Sequence, residues 1–170
     1  LKSHYKGKFF LPKSFTGENH VQEIRGIYVP FWMFDGEAEG DARYAATRSH
    51  TYRSGDYEIT ETEHYDVYRA GWIAFEKIPA DASSKMPDDH MDSIEPYDYQ
   101  ELKPFSTAYL PGFLADKFDV TVDQCRQRAD QRCEGTLSAT LRATVTGHGT
   151  CTLVNETVSL KRGKVHYALM

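Results

Sequence analysis

Two alternating runs, "EAEGDARYAATRSHTY" and "YEITETEHYDVYR", are hinged on Arg53-Ser54-Gly55-Asp56. Alternation puts successive side chains on opposite faces, and a Gly-Asp turn closes strands at short range, so this segment predicts an antiparallel hairpin. Tyr57, Ile59, Tyr65 and Val67 fall on one face, and Thr60, Thr62, His64 and Asp66 on the other. Upstream, from Ile24, "IRGIYVPFWMF" is apolar at both parities, as in a central strand covered on both sides. Pro30 cannot donate to a ladder and predicts a bulge or an edge there. Downstream, "GWIAFEKIP" predicts a fourth strand ending at Pro79. The resulting antiparallel meander has one face open to water.

A second β-segment closes the chain. "TCTLVNETVSL" and "KVHYALM" predict a hairpin across Lys161-Arg162-Gly163, with Val165, Tyr167 and Leu169 alternating with His166 and Ala168. No turn signal follows that run, so it is expected to pair inside the sheet or to meet another copy. Between the two segments lies a helix. Thr121 and Gln124 have capping-box spacing, and Val122, Cys125, Ala129, Cys133, Leu137, Leu141 and Val145 form one apolar stripe over about Thr121–Thr146. Gly135 is its weak point, and Gly147 and Gly149 end it. A shorter helix tail is predicted at Lys2–Phe10, stopped by Gly7 and Pro12.

Lys85 to Phe113 has no steady period. Pro87, Pro96 and Pro104 cut it into short helical turns, with Asp88 and Asp89 in a first turn, where acids complement the helix dipole. Tyr97, Tyr99, Phe105, Tyr109, Leu110 and Phe113 supply apolar surface to anchor it as a wrap over the meander. The fold class is therefore α+β: an antiparallel sheet from two meander segments, one long helix and short helical turns. The 170 residues suit a single domain, 1–170.

Several functions are disfavoured. A net charge of −5, and Glu58, Glu61, Glu63 and Asp66 on the Tyr-rich strand, oppose phosphate, so direct nucleic-acid binding is not expected. The basic opening (Lys2, Lys6, Lys8, Lys13) and the acidic 88–101 stretch (Asp88, Asp89, Asp92, Glu95, Asp98, Glu101) read first as solvated faces. No P-loop, dinucleotide fingerprint or nucleophile elbow occurs. Cys125 and Cys133 lie on the helix stripe, where a buried thiol needs no role. Three widely spaced cysteines (Cys125, Cys133, Cys151) fit neither a disulfide framework nor a zinc ribbon, and a reducing, cytoplasmic setting follows. The sequon at Asn155 matters only in a secreted chain, and neither a signal peptide nor a membrane span is expected within these residues.

The densest ligand group is "DDHMD", Asp88 to Asp92. An enzyme using it would bring Asp88, Asp89 or His90 together with Tyr97 or Tyr99 in a pocket. His50 and His64 opposed across the hairpin would make a poor metal site. The expectation is no catalytic residue, no metal ligand and no cofactor.

"IRGIYVPFWMFDG", "KIPADASSKMPDDHMDSIEPYDY" and "LKPFSTAYLPGFLADKFDV" resemble an uncharacterised bacterial family called TFIIB-type zinc ribbon-containing proteins, often labelled replication-restart DNA helicase. The resemblance covers most of the chain. It implies a zinc ribbon before this region, and further strands and, in many members, a membrane-spanning segment after it. The cysteines here match no ribbon ligand, and nucleotide-binding motifs are missing. With Leu1 an unnatural start and Met170 inside an apolar run, a fragment of a longer protein is expected. Its expected role is a non-enzymatic interaction or structural module that binds a protein partner or neighbouring segments of the full-length chain. Alternatives are a nucleic-acid-associated adaptor and a metal-assisted enzyme using 88–101.

Overall fold

A computed structural model describes residues 26–170; the helix tail expected at Lys2–Phe10 lies outside them. Strand β1 (Ile27–Tyr28) is followed by two very long strands, β2 (Pro30–Ser54) and β3 (Tyr57–Asp81), of 25 residues each. Helix α1 (Asp88–Ser93) and two single-turn 3₁₀ segments, Tyr99–Glu101 and Thr107–Tyr109, follow. Then come β4 (Leu114–Ala115), helix α2 (Val122–Ala143) and β5 (Thr150–Leu169). The main sheet has the order β3-β2-β5, both pairings antiparallel, and β1 pairs with β4 in parallel. The fold class is the expected α+β.

The strand count differs from expectation. "GWIAFEKIP" continues β3 instead of forming a fourth strand, because nothing between Arg69 and Gly71 turns the chain. Likewise Lys161-Arg162-Gly163 does not turn a hairpin. It carries a bulge inside the single strand β5, and both expected halves pair with β2. A matching bulge sits in β3: two residue steps of β2, Phe34 to Gly36, face three steps on each neighbour, Ile78 to Phe75 and Val165 to Arg162. The sheet kinks at one level on both sides, as bulges do. Lys77 takes φ 55° there and donates its N–H to Asp35 Oδ1 at 2.9 Å. At Gly163 an added Cβ would come within 2.8 Å of the Asp35 carbonyl oxygen, so the close approach requires glycine.

The turn itself is as expected. Ser54 pairs with Tyr57, and Gly55 has φ 62°, the left-handed first position of a two-residue hairpin turn. Pro30 begins β2, where its missing N–H costs no ladder bond, and its carbonyl accepts from Ala82 N–H at 2.8 Å. Met170 exchanges both backbone hydrogen bonds with Val29, so the last run is paired inside the sheet.

Helix α2 starts at the Thr121 N-cap with the complete capping box to Gln124. It lies on the face of β2 that carries Ala38, Ala42, Tyr44 and Ala46, with Leu137, Leu141 and Val145 closing that cluster. Small residues on the strand let the helix come close. Leu137 Cδ2 stands 3.2 Å from where a Cβ on Gly40 would be. Nearer its start, α2 sets Cys125 and Ala129 on Phe34, Ala80 and Ala82. The odd-numbered residues Val29 and Phe31 bury on the opposite face against Met91 of α1. This end of the sheet is covered on both faces, as the apolar run "IYVPFWMF" requires.

Candidate functional site

The acidic stretch is tied to α2 by two arginines. Arg128 reaches Asp81 Oδ1 at 2.9 Å, Asp88 Oδ1 at 3.0 Å and Asp92 Oδ1 at 2.5 Å. One turn on, Arg132 grips both oxygens of Glu95, at 3.0 and 2.6 Å, and donates to the Pro79 carbonyl. Asp88 and Asp92 stand four apart on α1 and therefore converge on one guanidinium. Burial opposes the charge of Arg128, but the hydrogen bonds to Asp92 and Asp81 outweigh it and hold the guanidinium charged. Burial pushes Asp81 up and its bond to Arg128 pulls it down, with a net upward shift. Glu95 raises Arg132. Chemically this is a clamp between wrap and helix. All four of its carboxylates, Asp81, Asp88, Asp92 and Glu95, already have a cation.

The other candidate groups are spread apart. His90 is exposed and donates no side-chain contact to the clamp, while its carbonyl accepts from Ser93 Oγ. Tyr97 packs edge-on to Phe31 and donates its hydroxyl to the Met91 carbonyl, and burial followed by the charge of Glu95 pushes it up to about 12. Tyr99 is likewise raised by burial and Glu95, and lies under Lys77. Neither tyrosine faces Asp88 or Asp89. His50 stacks on Tyr52 beside Glu61, and His64 opposes Thr47 on the other face, so the two histidines do not meet. Among the described residues no three His, Cys, Asp or Glu side chains gather as a metal set.

Cys125 is buried, points its thiol at the Asp81 carbonyl at 3.3 Å, and is raised to about 11 by burial and the Asp81 charge. A thiol held protonated is a poor nucleophile. Cys133, expected to be buried, is half-buried beside Asp130, and burial raises it too. The stripe rotates there because the helix crosses from the Phe34 cluster to the Ala38–Tyr44 cluster.

Sequence reasoning missed two polar locks. Ser83 Oγ and Lys85 Nζ both donate to Asp116, and Ser84 gives its N–H and hydroxyl to Asp119. Hydrogen bonds from Lys85 and Ser83 hold Asp116 down at about 2. The signal was the S-S-K triplet before an aspartate-rich return, readable only once the pairing was known. The second lock joins Asp35, the Lys77 N–H and His166 Nε2 at 3.0 Å, at the kink.

Exposed aromatic side chains mark the covered end of the sheet. Trp32, Phe118 and Tyr167 pack together at centroid distances of 4.9, 5.6 and 6.2 Å, yet Tyr167 is 61% and Phe118 39% exposed. Trp32 is fixed by donating Nε1–H to the Val120 carbonyl. Phe113 packs at a tilt against Tyr28 and is itself half exposed, with Leu114 and Ile27 beside it on β4 and β1. No helix of the described residues is long and apolar enough to cross a membrane.

The chain is similar to the uncharacterized protein YdjG of Bacillus subtilis (strain 168), with 38% identity over 159 residues. The match takes in 94% of this chain and 47% of the relative, so the chain spans about half of that protein's length. No family model matches the sequence, and no solved structure matches it.

Proposed function

We propose that this is a non-enzymatic interaction module, one domain of a longer protein, and that it docks a protein partner or a neighbouring segment of its own chain on the aromatic surface of Trp32, Phe118 and Tyr167. The observation that carries this reading is the exposure of that cluster. A large aromatic group held rigid by a half-buried hydrogen bond, yet left open, is the anchor chemistry of interfaces. Its place on the covered end adds weight, because α2 and the wrap give it a rigid support. Asp88, Asp92 and Glu95 are held by Arg128 and Arg132, which supports a structural role for residues 88–101.

The three free cysteines support a reducing, cytoplasmic setting. The quoted motifs support membership of the zinc ribbon-containing family, with the ribbon outside this chain. A relative of about twice this length supports a domain within a larger architecture. The test expresses this domain and the remainder of its natural chain as separate polypeptides. Co-elution that Phe118→Ser with Tyr167→Ser abolishes, with melting unchanged, supports the reading. Separate elution of the two, with full-length protein indifferent to the double substitution, would overturn it.

A further inference from the structure

Strands β2 and β3 run on past the end of α2, and from Arg48 to Glu63 every residue is exposed. Strand β5 begins at Thr150, opposite Thr47, and gives no support beyond it. The result is a two-stranded arm extending about 23 Å, at 3.3 Å per residue over Arg48–Ser54. A lone ribbon of that length is marginal in water. On its α2-side face it carries Tyr52, Ile59 and Tyr57, which are 39%, 36% and 76% exposed.

The edges of the sheet differ. The outer edge of β5 is guarded by bulges at Val154 and Gly163 and by Lys161, Arg162 and Lys164, devices that keep strands from adding. The outer edge of β3 from Tyr57 to Phe75 has no bulge, proline or lysine. Beyond it, the edge is taken up by the wrap, where Arg132 caps the Pro79 carbonyl. Ser54–Tyr57 closes a two-residue turn, so odd-numbered residues of β3 bond to β2 and even-numbered ones turn N–H and C=O outward. The Tyr68 carbonyl is one of these, and it is taken by Arg69 of the same strand at 2.8 Å.

We infer that the β3 edge pairs with the β3 edge of a second copy, antiparallel, about a two-fold axis at Tyr65. The axis stands perpendicular to the sheet, because only then do antiparallel edges related by a two-fold keep matching faces, and it must pass through a residue. Charge then selects the residue. Axes at Glu63, Asp66 or Arg69 set a charge against its own copy, and one at Val67 sets Glu58 against Glu76. The axis at Tyr65 opposes Glu61 to Arg69 and His64 to Asp66, each twice, with no like charges facing. Cross-strand pairs of this kind fix register.

The same register supplies the arm with cover. Tyr57 of one copy comes beside Ile73 of the other. Ile59 comes beside Gly71, whose empty side lies 3.6 Å from Leu141 Cδ2 of α2. Each arm thus borrows the flank of its partner's helix-covered sheet, and six strands become continuous. This inference concerns β3 and stands apart from the aromatic surface proposed above.

Sedimentation of the chain across concentration tests it. Wild type should dimerise, and Arg69→Glu should weaken the dimer about tenfold or more, since it sets like charges against each other twice. Glu61→Arg with Arg69→Glu should restore it. His64→Pro removes an outward N–H without touching the β2 ladder and should also weaken it. Thr62→Cys with Tyr68→Cys should form an intermolecular disulfide that neither single substitution forms, since those positions are opposed only in this register. Circular dichroism would confirm that each variant folds. A wild-type monomer up to about 100 μM, about a hundred times the scale of a micromolar interface, would overturn the inference. So would a dimer indifferent to Arg69→Glu. A monomeric domain that still binds the rest of its chain through Phe118 and Tyr167 would sink this inference alone.

Discussion

The same two strands build both a core and a bare arm. From Ala38 to Ala46 β2 alternates buried and open residues under α2, and at Pro30–Phe34 it is covered on both faces. From Arg48 on, the alternation persists, with Tyr52 and Ile59 where Tyr44 and Val67 stood, but nothing among the described residues covers it. Strand formation therefore follows the side-chain pattern, while stability follows the cover. The covered end combines apolar burial with a charge clamp, and the arm has only cross-strand contacts such as Thr51–Thr60 and Tyr52–Glu61.

Substitutions can break that contrast. Leu141→Ala, at 4% exposure on the sheet-facing side of α2, should cost about 2–5 kcal/mol in chemical denaturation. Ile59→Ala at the corresponding face of the arm should stay within about 0.5 kcal/mol in the dilute monomer, as exposed sites do. Equal costs at the two sites would mean that the arm has cover of its own.

Arg128→Leu should cost about 3 kcal/mol, because it strands the Asp81 carboxylate, whose side chain is 1% exposed, without a cation. The loss should shrink as pH falls. Burial already raises Asp81, and without the opposing bond from Arg128 it rises further, so protonation relieves the variant as the solution is acidified. A variant no less stable than wild type at neutral pH would remove the clamp from the account.

The α+β class, the hairpin turn, the capping box and the prolines of the wrap were all legible, since each is local: a period, a cap or a fixed φ. What was not legible depends on partners far along the chain. Arg128 and Arg132 looked like ordinary polar positions of an amphipathic helix until Asp81, Asp88 and Glu95 came within reach from 37 to 47 residues away. Lys161-Arg162-Gly163 has the composition of a turn, and became a bulge because β2 runs straight past it, leaving Gly163 pressed on Asp35. The two strands expected on either side of Arg69–Gly71 fused for the same reason.

Smaller effects sharpen the picture. Gly135 lies mid-helix with nothing within 4 Å of an added Cβ, so Gly135→Ala should stabilise by about 1 kcal/mol in the same denaturation assay. A destabilised variant would mean that the helix bends there for a reason. Adding Ca²⁺, Mg²⁺ or Zn²⁺ should leave the melting temperature essentially unchanged, because a ligand that binds only the folded state must raise it, and Asp88, Asp92 and Glu95 are committed to arginines. A saturable rise, abolished by Asp88→Asn with Asp89→Asn, would instead make 88–101 a metal site.

Amide hydrogen exchange along β3 tests the contrast most directly, because one continuous strand runs through both regions. In dilute solution, where the chain is monomeric, the β2-bonded amides of Val67 to Phe75 under α2 should exchange slowly, through global unfolding. Those of Tyr57, Ile59 and Glu61 should exchange at least about a hundredfold faster, through local opening of the arm. Uniform slow exchange from Tyr57 to Phe75 in the monomer would contradict the account, because the arm would then be as stable as the core without a covering layer.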